Sequence, residues 1–235
     1  PVSNGGVEGQ SFTVTVTVDP EPVVEDQSVT VCSGETLGLV LVGDQDQPDV
    51  DSYELLNIDP NGLTAGAGNI STGSGLSENA IVNDSWENLT ATPTNVVYTF
   101  VPLGNNGCQG DPFEVTATID PEPVGVDATQ TVASNVSFNF DPQDEISNNI
   151  DSDFTWEVTD ITGTVNGAVI GDTGTDLVTG TLVNDSSSTA SVEYTVTPVS
   201  VNGCEGSPFT ITITVEPEPV VDDQTLGVCS DNTLG

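Results

Sequence analysis

Residues 209–215 read Phe209-Thr210-Ile211-Thr212-Ile213-Thr214-Val215, an unbroken alternation of apolar residues with threonine. A period of two puts Phe209, Ile211, Ile213 and Val215 on one face of an extended chain and the threonines on the other. That is the pattern of a strand buried on one side. The β-branched side chains suit a pleated surface and lose rotamer freedom in a helix. The same alternation stands at 12–18, where Phe12, Val14, Val16 and Val18 oppose Thr13, Thr15 and Thr17. A looser copy follows at 113–119, with Phe113, Val115, Ala117 and Ile119. Tyr98-Thr99-Phe100-Val101 and Tyr194-Thr195-Val196-Thr197 precede two of these runs, with Asn106-Gly107 and Asn202-Gly203 in between. Asn-Gly between alternating runs is a strong hairpin signal. Each domain is therefore expected to close with a β-hairpin and a glycine-rich loop.

Outward from these strands the chain repeats. Each is followed by a proline segment: Asp19-Pro20-Glu21-Pro22-Val23, Asp120-Pro121-Glu122-Pro123-Val124 and Glu216-Pro217-Glu218-Pro219-Val220. Pro20 and Pro121 are 101 residues apart, Pro121 and Pro217 96 apart. At the summed offset of 197, residues 198–235 align without a gap to residues 1–38, 24 of the 38 being identical. Such self-similarity marks a tandem array. The expected organisation is the last strand of a preceding repeat at 1–19, one repeat at 20–121, a second at 122–216, and the first strand of a following repeat at 217–235. The proline segments, stiff and short of amide donors, read as semi-rigid linkers.

Within each repeat further strands are expected at 28–31, 37–42 and 53–56, and at 129–132, 136–140 and 154–158. Val82-Asn83-Asp84-Ser85 returns as Val183-Asn184-Asp185-Ser186, which reads as a turn at the same place in both. No stretch has a helical period. Short strands with frequent turn signals indicate an all-β chain of tandem antiparallel β-sandwiches. Its 235 residues suffice for two domains with real cores.

Composition narrows the function. There are 37 Asp and Glu and no Lys, Arg or His, a formal charge of −37. Phosphate-backbone binding depends on basic side chains, which excludes nucleic acid and anionic membrane surfaces as partners. No apolar run approaches the length of a membrane span. Such a charge resists compaction unless cations screen or bind it, and Ca²⁺ takes oxygen ligands. The candidate ligands are Asp44, Asp46, Asp49 and Asp51 in one loop and Asp19, Glu21, Glu25 and Asp26 around a proline segment. None matches the twelve-residue EF-hand spacing. Solvated turn aspartates are the competing account.

The four cysteines occupy two recurrent slots, early in a domain (Cys32, Cys229) or in its last hairpin (Cys108, Cys204). Cys32 and Cys108 fill both slots of one domain, so a Cys32–Cys108 bond is expected. The alternative joins Cys204 to Cys229. Trp156 and Tyr194 sit in strand patterns and are expected in the core, and Trp86, after a turn, at the surface. The N-x-Ser/Thr triplets at Asn69, Asn83, Asn88, Asn135 and Asn184 reflect polar composition. Paired carboxylates can make a glycosidase, but these acids lie on turns and linkers without a cleft, so no enzyme activity is expected.

Phe154-Thr155-Trp156-Glu157-Val158-Thr159 with 161–168, then Tyr194-Thr195-Val196-Thr197-Pro198, Asn202-Gly203-Cys204 and 209–215 with Pro217, resemble the PKD-like repeats of Bacteroidota surface and secreted proteins. The first domain lacks the tryptophan strand motif but keeps Tyr98, Asn106-Gly107-Cys108 and Phe113. The resemblance implies an immunoglobulin-type sandwich, an extracellular or cell-surface location, and a spacer or adhesive role without catalytic residues. The expected function is a structural segment of a long extracellular fibre or stalk, its partners being other copies or repeats. The alternatives are the spacer of an adhesin, whose glycan or surface ligand is met elsewhere, and a carbohydrate-binding module.

Overall fold

The computed structural model describes residues 1–44 and 48–219. The chain divides into two compact units. Apart from Leu89–Thr92, which cluster with the second, the division falls between Asp120 and Pro121. Both are all-β, and among the described residues no helix is long and apolar enough to cross a membrane.

The first unit runs β1 (Gln27–Cys32), β2 (Val50–Asp59), β3 (Thr64–Ala65), β4 (Gly73–Leu76), β5 (Trp86–Glu87), β6 (Thr94–Gly104) and β7 (Phe113–Asp120). Five of these form one sheet in the order β1-β7-β6-β2-β4, and β3 pairs with β5. The alternation in β6 and β7 sends Val96, Tyr98, Phe100, Phe113, Val115, Ala117 and Ile119 inward, all buried. Phe100 stacks on Phe113 at 5.8 Å between centroids and on Tyr98 at 6.2 Å, while Tyr53 meets Phe100 edge-on at 6.3 Å. This aromatic file is the centre of the first core.

The second unit runs β8 (Ala128–Ala133), β9 (Val136–Phe140), a 3-10 turn (Pro142–Glu145), β10 (Ser152–Thr162), β11 (Val165–Asn166), β12 (Thr173–Thr175), β13 (Val178–Asn184), β14 (Ala190–Ser200) and β15 (Phe209–Glu216). A five-stranded sheet, β12-β10-β14-β15-β8, is accompanied by a three-stranded one, β11-β13-β9. β15 carries the opening motif: Ile211, Ile213 and Val215 are fully buried and Phe209 nearly so.

Three sequence expectations change. First, each large sheet ends on a parallel pair, β1 with β7 and β8 with β15. Side-chain alternation carries no information on strand direction. Second, residues 37–42 form no strand, although Leu37 and Leu41 are buried. Gly38 takes a left-handed φ of 61°, which breaks the ladder. Third, the two Val-Asn-Asp-Ser motifs are not equivalent. Val183 and Asn184 close strand β13, whereas Val82 and Asn83 lie in a turn.

Residues 12–18 form no strand here. Phe12, Val14, Val16 and Val18 are 73%, 72%, 79% and 87% exposed, although their aligned counterparts in β15 are buried.

Candidate functional site

The hairpin tip between the last two strands is built three times in the same way. In the first unit Gly104 N donates to Cys108 O (2.9 Å), Gly107 N to Gly104 O (2.9 Å) and Gly110 N to Pro102 O (2.9 Å). In the second, Ser200 N donates to Cys204 O (2.8 Å), Gly203 N to Ser200 O (2.9 Å) and Gly206 N to Pro198 O (2.9 Å). Residues 1–9 repeat the set with Ser3 N to Val7 O (3.0 Å), Gly6 N to Ser3 O (2.9 Å) and Gly9 N to Pro1 O (2.8 Å). The Asn-Gly signal is thus part of a three-residue loop, in which the glycine supplies the positive φ, 80° at Gly107 and 85° at Gly203.

In the two complete units the tip holds the proline segment that opens its own unit. Asn106 Nδ2 donates to Pro20 O at 2.9 Å. A Cβ on Gly110 would overlap the Pro22 carbonyl, and one on Gly206 the Pro123 carbonyl. Pro22, Pro121 and Pro123 are buried. The proline segments at 19–23 and 120–124 are therefore docked parts of the sandwich that follows each, not free linkers.

A second repeated device closes the other end of each last strand. Ser33 N donates to Asp120 O (2.8 Å) and Ser134 N to Glu216 O (3.0 Å). The Ser33 hydroxyl accepts from Asn88 N at 2.9 Å and the Ser134 hydroxyl from Asn184 N at 3.0 Å. Asn88 Nδ2 then donates to Ile119 O (2.8 Å), and Asn184 Nδ2 to Val215 O (2.9 Å). Asn88, at 1% exposure, is the counterpart of Asn184, at 3%. Both head N-x-Ser/Thr triplets, and burial removes them as glycan acceptors.

Trp86, expected at the surface, is only 4% exposed. Its Nε1 donates to the Tyr98 hydroxyl at 2.7 Å, and that hydroxyl donates to Asp84 Oδ2 at 3.0 Å. Asp84 Oδ1 accepts from Ile70 N at 2.9 Å. In the second unit Tyr194 is buried and Trp156 packs partly buried against the core, as expected. Their rings meet edge-on at 5.4 Å, and the Trp156 Nε1 is buried with no hydrogen-bond partner among the described residues.

Burial raises the Asp84 carboxyl above its ordinary range, against the opposing pull of the Ile70 amide and the Tyr98 hydroxyl. The unfolded chain returns the group to its ordinary value, so the folded state holds the proton to higher pH. The resulting stability is fully present below the ordinary carboxylate pKa and is lost as pH rises through the raised one. Urea midpoints followed by Trp86 fluorescence in a Trp156→Phe background are expected to be higher at about pH 5 than at about pH 7. The difference should shrink in Asp84→Asn; an unchanged difference would assign it to general charge repulsion.

The carboxylate candidates are dispersed. Among the described residues no three of His, Cys, Asp or Glu come together closely enough to hold a metal ion. Asp46 lies outside the described residues. Asp44 and Asp49 line one hollow of about 340 Å³ with Glu78 and Tyr53, whose hydroxyl is pushed up by burial and then by the Glu78 charge. Asp51 is exposed on β2, and Asp19, Glu21 and Glu25 are exposed around the proline segment. Asp26 has a structural task, since its Oδ1 accepts from Glu114 N at 2.7 Å, as Asp127 Oδ1 does from Thr210 N at 2.7 Å.

The expected Cys32–Cys108 bond is not formed. Cys108 is a free thiol, its Sγ 3.9 Å from the Asp19 carbonyl, while Cys32 and Cys204 are disulfide-bonded. Strand direction explains this. Cys32 pairs with Asp120 at the far end of β7, whereas Cys108 sits in the tip before β7 begins. Eight residues of strand separate the two ends by roughly 23 Å, and a disulfide needs Cα atoms within about 7 Å. Cys229, in the alternative pairing, lies outside the described residues.

The family model described as "PKD-like domain" matches residues 29–123 and again 130–219. The chain belongs to the PKD-like domain family. Each match covers most of one sandwich, so the chain holds two tandem PKD-like domains of immunoglobulin-like form. No curated protein matches the chain. Among solved structures, it is similar to human protocadherin-24 EC1-2 (12% identity, 86% of this chain and 100% of that one, TM-score 0.37). It is also similar to DIP-gamma IG1+IG2 (10% identity, 86% and 99%, TM-score 0.36) and to the D00-D0 domain of intimin (12%, 83% and 98%, TM-score 0.31).

Proposed function

We propose that the chain is a non-catalytic segment of an extracellular bacterial array, in which PKD-like domains follow one another to build a fibre or surface stalk. The observation that carries this reading is the state of residues 1–19. Their tip repeats the hydrogen bonds of the two complete units, yet Phe12, Val14, Val16 and Val18 face solvent while Phe209, Ile211, Ile213 and Val215 are buried. A strand with that face stabilises nothing unless a sandwich covers it. The reading makes it the closing strand of a preceding repeat. Docked proline segments suit such an array, because they fix each sandwich to the chain that enters it.

The internal offset supplies the test. Joining residue 197 of one copy to residue 1 of the next continues the repeat in phase. In such a concatemer the amides of residues 12–18 at each junction are expected to become strongly protected from hydrogen exchange. Junction strands as unprotected as in the single copy would overturn the array reading. Regular filaments in micrographs of the concatemer would favour a fibre, and separate rods the stalk of an adhesin.

Calcium belongs to the same proposal as a diffuse counter-ion for an acidic array, the described carboxylates being too dispersed to hold an ion among three of them. Millimolar Ca²⁺ is expected to raise the thermal midpoint reversibly, EGTA restoring the original value. A flat response to Ca²⁺ removes calcium from the reading and leaves the array intact.

A further inference from the structure

The outer face of the five-stranded sheet in the second unit is lined with hydroxyls around an open hollow of about 420 Å³, a volume in the range of ligand clefts. Thr175, Thr155 and Thr197 face one another in a row across β12, β10 and β14. Thr173, Glu157 and Thr195 make the next row. Strand spacing sets the grid at about 4.8 Å across. Thr159 adds a hydroxyl bonded to that of Thr195 at 3.0 Å.

We propose that this hollow binds a neutral oligosaccharide. Each threonine hydroxyl both donates and accepts, as sugar hydroxyls do, and the Glu157 carboxylate accepts from two directions. Anionic glycans are disfavoured: the chain carries −37 with no basic residue to receive a sulfate or uronate. Trp156, between Thr155 and Glu157 on β10, also lines the hollow, and its backbone amide serves as a further reporter.

The first unit shows that the fold does not require this surface. Tyr98 and Tyr194 hold the same place in β6 and β14, so Val101 paired with Glu54 corresponds to Thr197 paired with Thr155. Asn57 paired with Thr99 corresponds to Glu157 paired with Thr195. One sandwich thus sets an apolar residue and a carboxylate where the other sets two hydroxyls. Strand propensity accounts for threonine on any exposed face. It does not account for hydroxyls gathered around a hollow in one unit when, of the four matched positions in its neighbour, only Thr99 carries one.

The test uses the whole chain with three neutral probes, cellohexaose, laminarihexaose and mannohexaose, and an oligogalacturonate as the anionic control. At least one neutral probe is expected to shift the Thr155, Trp156, Thr195 and Thr197 amides saturably, the control shifting none. The double variant Thr155→Glu, Thr197→Val installs residues the fold already accepts in the first unit. It is expected to weaken binding at least about tenfold with the thermal midpoint of the second unit unchanged. Silence from all three neutral probes, equal binding of oligogalacturonate, or undiminished binding by the double variant overturns the proposal.

Discussion

Replacing Tyr98 by Phe is expected to cost the first unit about 3 kcal/mol and to lower its thermal midpoint by roughly 15 °C. The hydroxyl is the middle of a buried chain: it receives the Trp86 Nε1 proton and gives its own to Asp84. Its removal leaves an indole N–H and a carboxylate oxygen without partners at once, where Trp86 is 4% and Asp84 2% exposed. Orphaning a buried group costs more than the bond itself contributes. Tyr194→Phe is the matched control. Burial and the Asp172 charge push that hydroxyl up to about 12, but it makes no hydrogen bond among the described residues, and its loss should cost under about 1 kcal/mol. The chain's two tryptophans fall one in each unit, so Trp→Phe backgrounds let fluorescence follow each unfolding separately. Equal losses from the two substitutions would show that the chain of bonds in the first unit does not matter.

Much of the fold was legible because β-strands declare themselves every second residue. The 209–215 alternation gave β15, and the repeat gave its counterpart β7 even where Ala117 weakens the pattern. What alternation cannot state is direction. β1 was expected as a strand, but its parallel pairing with β7 was not, and that direction places Cys32 and Cys108 at opposite ends of the unit. The disulfide expectation fails for this reason: the two slots share one repeat but lie at its opposite ends. Trp86 failed differently. It follows a turn in sequence, but a two-residue strand returns it to the core beneath Tyr98. Short strands leave no period to read. The second unit's threonine hollow was invisible for the opposite reason, since each threonine looked like ordinary strand composition until pairing register set them side by side.

The proline segments show how the same residues acquire a different task once packed. In sequence they are stiff and unpaired, hence linkers. In the fold Asn106 and the glycines of the tip take hold of them, so stiffness becomes a means of presenting a fixed strand to the sheet. A glycine is required at 110 and 206 because a carbonyl of the segment occupies the space of a side chain. The recurrence of Gly9, Gly110 and Gly206 in the sequence carried that constraint before its cause was visible.

Asn184→Ala is expected to cost the second unit about 3 kcal/mol, whereas Asp185→Ala beside it should cost under about 0.5 kcal/mol. The Asn184 amide is fully engaged: Nδ2 donates to Ser188 O at 2.8 Å and Val215 O at 2.9 Å. Its Oδ1 accepts from Ser186 N at 3.0 Å and the Ser186 hydroxyl at 2.7 Å. With the backbone bond to Ser134, it ties the end of β13, the turn before β14 and the end of β15 into one knot. Asp185 is exposed, and its carboxylate accepts one hydrogen bond among the described residues, from Asn166 Nδ2. The sharper variant is Asn184→Asp, which keeps size and Oδ1 but turns two carbonyl oxygens toward a carboxylate oxygen. It should be at least as damaging as alanine at neutral pH and partly recover when acid protonates the new group. Denaturation followed by Trp156 fluorescence measures all three. A wild-type midpoint for Asn184→Asp at neutral pH would show that the amide protons do not hold β15 in place.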